Sequence, residues 1–228
     1  MSKPSIFITG GGRGIGRAIA LRFAREGCPV AVAARTSEEL DKVVAEVQEL
    51  GAEGMAAQMN LRDPGSIEAA VWRASDSFGG SIDILVNNAG IFDVKSFDDT
   101  DPDMWGRFLE VNLTGAYLVT LEAMGALRES DKAHIFNVCS VAARAGYAGN
   151  VAYCASKYGL RGFGDALRED LREEGIRVSN VFPGATDTTI FDGVAGDWDR
   201  STMKDPETVA DVIWNAYQAD GDQADLDV

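Results

Sequence analysis

The sequence predicts an α/β fold: a doubly wound parallel sheet of about seven strands with helices on both faces. Three observations predict it. Apolar segments near residues 5–9, 30–34, 54–58, 82–86, 133–138 and 176–182 alternate with helical patterns near 14–26, 38–50, 65–78, 102–129, 152–174 and 206–218. Runs such as Val30-Ala31-Val32-Ala33 are continuously apolar, the pattern of strands buried on both faces. A glycine cluster stands where the first strand gives way to the first helix, the place of a phosphate-binding turn.

The first unit runs from the apolar stretch Ser5 to Thr9 through Gly10-Gly11-Gly12-Arg13-Gly14-Ile15-Gly16 into a helix with apolar residues at helical spacing. Glycines let the backbone approach a pyrophosphate without Cβ clashes. The helix N-terminus adds unpaired N–H groups and the positive end of its dipole. Such a unit binds a dinucleotide, and it discriminates between cofactors just past the second strand. There an acidic side chain would accept from the adenosine ribose hydroxyls and repel a 2′-phosphate. Here the place reads Ala33-Ala34-Arg35-Thr36-Ser37, with no carboxylate and an arginine able to meet a phosphate by charge-assisted hydrogen bonds. NADP(H) is the expected cofactor.

The helix near 152–174 opens with Tyr153-Cys154-Ala155-Ser156-Lys157. Four residues apart, Tyr153 and Lys157 share one helical face. A free phenol titrates near pH ~10, and a neighbouring ammonium lowers that value by stabilising the phenolate. The pair reads as an acid/base catalyst.

These motifs follow one another in a fixed order. Thr9-Gly10-x-x-x-Gly14-x-Gly16 comes first, then Asn87-Asn88-Ala89-Gly90, then Asn112, then Ser140 thirteen residues before Tyr153, then Lys157, and finally Pro183-Gly184 with Thr188. In this the chain resembles the short-chain dehydrogenase/reductases over residues 5 to about 190. Within that family it is similar to the single-domain branch of 3-oxoacyl-[acyl-carrier-protein] reductase-like ketoreductases. The resemblance implies a Rossmann-type sheet and NADPH-dependent reduction of a ketone or aldehyde carbonyl to an alcohol. It makes Tyr153 the proton donor and Ser140 the donor that holds the carbonyl oxygen. Lys157 is to lower the tyrosine pKa and bond the nicotinamide ribose. Asn112 is to hold a water linking the lysine to solvent, or to satisfy backbone in a helix kink.

Cofactor contacts are implied from Thr9, Gly10, Arg13, Gly14, Ile15 and Gly16, from Asn87, Asn88, Ala89 and Gly90, and from Thr188, with Pro183 and Gly184 shaping the nicotinamide pocket. Arg13 is a second cation of the kind that NADP-preferring members place in the turn. Asn60-Leu61 occupies the place where many relatives have an aspartate on the adenine amino group; an amide oxygen accepts that bond with less charge assistance. By the same resemblance residues 187–205 form the substrate loop, rich in glycine and aspartate, with Trp198 reading as exposed. Ala224 to Val228 is expected as a seventh strand, without the glycine-rich closing segment of many relatives. Relatives pair the helices near 102–129 and 152–174 between subunits. Leu109, Leu113, Tyr117, Leu118 and Leu121 give the first of these more apolar surface than one core stripe needs, so a homodimer or homotetramer is expected.

Composition bounds the rest. At 228 residues and 46% hydrophobic content, one core serves a single domain over 1–228. No run of eighteen apolar residues and no basic, apolar and small-residue leader pattern is present, so a soluble cytoplasmic enzyme is expected, without membrane association. Cys28, Cys139 and Cys154 are odd in number and widely spaced, with His134 the one histidine, so reduced thiols and no metal site are expected. A formal charge of −15 disfavours nucleic acid and anionic membranes as partners. Three other readings stay open: an NAD-dependent alcohol or polyol dehydrogenase, a non-catalytic NAD(P)-binding regulator, and a lyase, epimerase or dehydratase on the related extended fold.

Overall fold

Seven parallel strands form one sheet: β1 (Ile6–Thr9), β2 (Val30–Ala34), β3 (Gly54–Gln58), β4 (Ile84–Asn87), β5 (His134–Val138), β6 (Arg177–Phe182) and β7 (Asp225–Asp227). Their order is β3-β2-β1-β4-β5-β6-β7, so the winding reverses between β1 and β4. Helices α1 (Gly14–Ala24), α2 (Ser37–Glu49), α3 (Pro64–Ser77), α4 (Pro102–Leu109), α5 (Gly115–Arg128), α6 (Val151–Leu171) and α7 (Pro206–Gln218) cover the sheet. The computed structural model describes residues 3–219, 221 and 223–228; Met1, Ser2, Asp220 and Asp222 lie outside them.

Each strand divides its side chains by the two-residue period. Ile6 and Ile8 of β1 join Val30 and Val32 of β2 against α1, α2 and α7. Phe7, Ala31 and Ala33 point the other way, towards α3 and α5. Both faces are therefore dry, as continuous apolar strands require. Among the described residues no helix is long and apolar enough to cross a membrane.

Three in-register asparagines cross the sheet beneath α6. Asn87 Nδ2 donates to Asn137 Oδ1 at 3.0 Å, and Asn137 Nδ2 donates to Asn180 Oδ1 at 3.4 Å. Gly164 of α6 rests on this ladder. A Cβ there would stand 2.1 Å from Asn180 Oδ1, so only glycine lets α6 come so close. This contact lies seven residues, about two helical turns, along α6 from Lys157 and sets the height of its N-terminal half.

The pattern near 102–129 is not one helix. It is α4 and α5 joined by a π turn, Glu110–Thr114, in which the Gly115 N–H reaches back five residues to Glu110 O. The cause sits in the turn: Asn112 Oδ1 accepts from Ile91 N at 2.8 Å, while its Nδ2 donates to Ile91 O and Ser156 Oγ at 3.0 Å each. The strand expected from 82 starts at Ile84, because Asp83 bonds Ser5 and Ser130 with its carboxylate before the ladder begins. The helix near 152–174 gives way after Leu171 to a 3₁₀ turn that ends at Gly175, φ +72°. The seventh strand falls where expected. Its Asp225 and Asp227 are exposed around buried Leu226, and both carboxylates pair with Arg144, whose guanidinium stacks 3.6 Å from the Phe182 ring centroid.

Candidate active site

The site forms where the loops after β1 and β4 part. Thr9 is the joint. Its hydroxyl accepts from Asn88 N and Ala89 N, both at 3.0 Å, and donates to Val86 O at 3.3 Å. Asn88 Nδ2 returns bonds to Thr9 O and Gly10 O at 2.9 and 3.2 Å. The glycines are steric necessities here. A Cβ on Gly16 would lie 2.2 Å from Gly10 O, and Gly10 itself, at φ +65°, would meet Ala89 Cα at 2.8 Å. α1 starts without a side-chain cap on its first turn, and Gly14 and Ile15 of that turn line a cleft of about 830 Å³. Uncapped N–H groups at a helix start suit an anion.

The cleft gathers nearly all the residues expected at it: Gly10, Arg13, Gly14, Ile15, Arg35, Asn60, Leu61, Asn88, Ala89, Gly90, Pro183, Gly184 and Thr188 line it together with Ser140, Tyr153 and Lys157. Thr9 and Gly16 shape it from behind. Thr188 comes over the turn, its methyl 3.0 Å from where a Gly14 Cβ would be. Asn87 does not reach the cleft: it is buried in the sheet, bonded to Asn137 and to Thr120 Oγ1. Asn112 is likewise interior, its amide consumed by Ile91 and Ser156, so the kink-stabilising role is the one its side-chain bonds fill.

At the adenosine end the residues are partly engaged. Arg35 is exposed, and its carbonyl accepts from Gln58 Nε2. Asn60 Oδ1 accepts from Arg62 N at 3.2 Å, which closes a local turn with the oxygen expected to face adenine. Arg13 is not a free cation. Its Nη1 lies 3.5 Å from Glu39 Oε1, a residue of α2 that the linear sequence gave no reason to single out and that also lines the cleft.

At the other end, Ser140 follows β5 and caps a short 3₁₀ turn, its Oγ accepting from Ala142 N at 3.1 Å. The Tyr153 phenol lines the same end of the cleft as Ser140. Burial pushes the phenol up to about 12, against which the hydrogen bond from Ser140 acts in the opposite direction. Lys157 is buried, donates from Nζ to Val138 O at 2.8 Å, and stands 5.9 Å from the Tyr153 ring centroid. Burial pushes its ammonium down to about 8. The lowering of the phenol expected from the lysine is not found: burial raises the phenol, and the group acting against that is Ser140, while the ammonium is directed to a backbone carbonyl.

Aromatic rings complete this end. Phe92 stands edge-on to Tyr153 at 4.9 Å, and Phe108 flanks the phenol at 6.4 Å. Trp198, which reads as exposed from its glycine- and aspartate-rich surroundings, is instead half-buried against Phe92 and Phe191. The one sequence signal for Phe92 is its place two residues past Gly90.

A glycine-floored dinucleotide cleft that ends at a serine, a tyrosine and a lysine defines an oxidoreductase site. The sequence model of the short chain dehydrogenase family matches residues 4–197. Sepiapterin reductase of Chlorobaculum tepidum is 32% identical over 222 residues, spanning 94% of this chain and 90% of that protein. The 3-oxoacyl-[acyl-carrier-protein] reductase FabG of Salmonella typhimurium is 35% identical over 190 residues, 83% of this chain and 76% of that one. Among solved structures, a short chain dehydrogenase of Burkholderia cenocepacia in complex with NADP superposes with a TM-score of 0.90 at 33% identity, covering 100% of this chain and 96% of that chain. The chain belongs to the short chain dehydrogenase family.

Lys157 makes a measurable demand on stability. With its folded pKa near 8, below the 10.5 of a free lysine, the unfolded chain binds more protons between those values, so stability rises with pH across that window. Below it the full penalty applies. Lys157→Met should therefore be more stable than the parent by about 1–3 kcal/mol at pH 7, with the gain shrinking as pH climbs towards 10. Urea denaturation at both pH values checks this; an equal or lower stability of the variant at pH 7 would contradict it.

Proposed function

We propose that the protein reduces a ketone or aldehyde carbonyl to an alcohol with NADPH. The observation that carries this reading is the gathering of Ser140, Tyr153 and buried Lys157 at one end of a cleft floored by the glycine turn. The glycines of the turn leave room for a pyrophosphate, and residues 34–36, just past the second strand, offer Arg35 and no carboxylate to a 2′-phosphate. When bound, NADPH supplies the hydride for the carbonyl carbon and leaves as NADP⁺, so the chain must deliver one proton to the oxygen. Tyr153 gives that proton. Ser140 donates a hydrogen bond where negative charge develops. Lys157, within 6 Å of the phenol ring, stabilises the phenolate left behind and faces the ribose side of the cleft beside Gly90. The whole chain acts as one catalytic domain, with residues 187–205 as the substrate loop.

Tyr153→Phe should abolish reduction and leave NADPH affinity within a few-fold, because it removes one hydroxyl and keeps the ring against Phe92. Stopped-flow NADPH oxidation and a fluorescence titration read the two effects; retained turnover would refute the mechanism.

Cofactor choice rests chiefly on Arg35, since Glu39 already engages Arg13. NADPH should be preferred over NADH by about ten-fold or more in kcat/KM, as one or two charge-assisted bonds to the phosphate would give. Arg35→Ala should erode the ratio and Ala34→Asp should move it towards NADH. If both variants keep the parent ratio, Arg35 is a bystander.

Subunits pair through α5 and α6. Of the five apolar residues counted on the first of these helices, Tyr117 and Leu121 are exposed, 46% and 53%, and Tyr158 of α6 joins them at 44%; Leu113 and Leu118 pack within the chain. Light scattering at micromolar concentration should give a dimer or tetramer, and a stable, active 24.3 kDa monomer would overturn this.

A further inference from the structure

The side of the cleft beyond Tyr153 is walled by rings from three separate segments. Phe92 of the loop after β4 lies edge-on to Tyr153, to Phe191 at 5.4 Å and 70°, and to Trp198 at 5.7 Å and 72°. Phe191 and Trp198 are 4.8 Å apart with a 44° tilt, and Phe108 stands behind the phenol. Val141, Tyr147 and Ile190, all lining the cleft, are largely exposed.

Phe191 and Trp198 ride on a loop that is anchored at its base. Thr186 and Lys204 form a bridge, with backbone bonds from Asp187 N to Lys204 O at 2.9 Å and from Lys204 N to Ala185 O at 3.0 Å. Arg200 clips Asp187 to Asp192 across it, and Trp198 Nε1 donates to Val194 O at 3.2 Å.

The loop is also acidic. Residues 187–205 carry Asp187, Asp192, Asp197, Asp199 and Asp205 against Arg200 and Lys204, in a chain of net charge −15. Of the charged residues that line the cleft, Asp93 and Arg107 adjoin the ring-bearing Phe92 and Phe108 and contribute one charge of each sign, while Arg13, Arg35, Glu39, Arg62 and Lys157 line the rest of it. Beside the rings the two charges balance, which suits an uncharged substrate.

Resting on the reductase reading, we propose that this site takes an uncharged aryl ketone or aldehyde, with its flat ring packed on the wall formed by Phe92, Phe191 and Trp198. Edge-to-face and offset contacts favour an aromatic guest over a saturated ring of similar size. The carbonyl, attached to that ring, then lies beside the Tyr153 and Ser140 hydroxyls, takes the hydride on carbon and the tyrosine proton on oxygen, and leaves as the aryl carbinol with NADP⁺.

The test compares a methyl aryl ketone, its cyclohexyl analogue and a 3-oxoacyl carrier protein, with NADPH and the full chain. Two readouts are used: kcat/KM, and quenching of tryptophan fluorescence on titrating each compound into the NADP⁺-loaded protein. The aryl ketone should exceed the cyclohexyl analogue by ten-fold or more in kcat/KM and should quench. Phe92→Leu and, separately, Trp198→Leu should bring that ratio towards one, with Trp198→Leu also removing the quench. An equal ratio in the parent, a preference for the carrier-bound substrate, or no quench by any aryl ketone overturns the inference. Quenching that depends on Trp198 without turnover of any carbonyl supports the aryl site and instead overturns the reductase reading.

Discussion

The contact between the Gly10 carbonyl and Gly16 is the constraint on which the cleft depends. With a Cβ at Gly16 only 2.2 Å from that oxygen, α1 could not start where it does, and the turn would lose its fit to the loop after β4. Thr9 and Asn88 then convert closeness into fixed geometry. One hydroxyl and one amide tie the ends of two adjacent strands by five hydrogen bonds. The reversal of winding between β1 and β4 opens the crevice, and these bonds hold its lips at a set separation.

The catalytic end is held from below. α6 settles on the asparagine ladder through Gly164, and the π turn holds Asn112 against both the Ile91 backbone and Ser156 of α6. Polar groups are costly in a dry interior unless they are satisfied. Here that cost is offset by hydrogen bonds that also fix position: Asn137 both accepts and donates along the ladder, and Asn112 uses all of its amide. Burial at this end raises the Tyr153 phenol and depresses the Lys157 ammonium, each in the direction of its neutral form.

Much of this is legible in the sequence because it depends on local chemistry. Continuous apolar runs mark the buried strands, the glycine spacing marks the turn, and Tyr153 with Lys157 falls on one helical face. What escapes the sequence is contact between distant segments. Glu39 reaches Arg13 only because α2 passes beside Gly12, and a helical glutamate looks like any solvated one. Phe92, Phe191 and Trp198 meet across about a hundred residues, so the local composition around Trp198 suggests exposure while the fold supplies a partner. Asn60 and Asn112 illustrate a third case. Their residue type is compatible with ligand contact, but nearby backbone groups claim their side chains first. The direction of the phenol shift belongs here too, since burial is a property of the packed site and not of the four-residue spacing.

The pairing of Arg144 with Asp225 and Asp227 ties Ser140 to the rim of the sheet. Arg144 closes the short turn that Ser140 opens, and it lies between the Phe182 ring and two carboxylates on β7. That strand is three residues long and hydrogen-bonded on one side only. It works as a strut: displacing it would strip the arginine of its counter-ions and slacken the turn that orients the Ser140 oxygen. Ser140 is thus held from the rim of the sheet as well as from the end of its own strand.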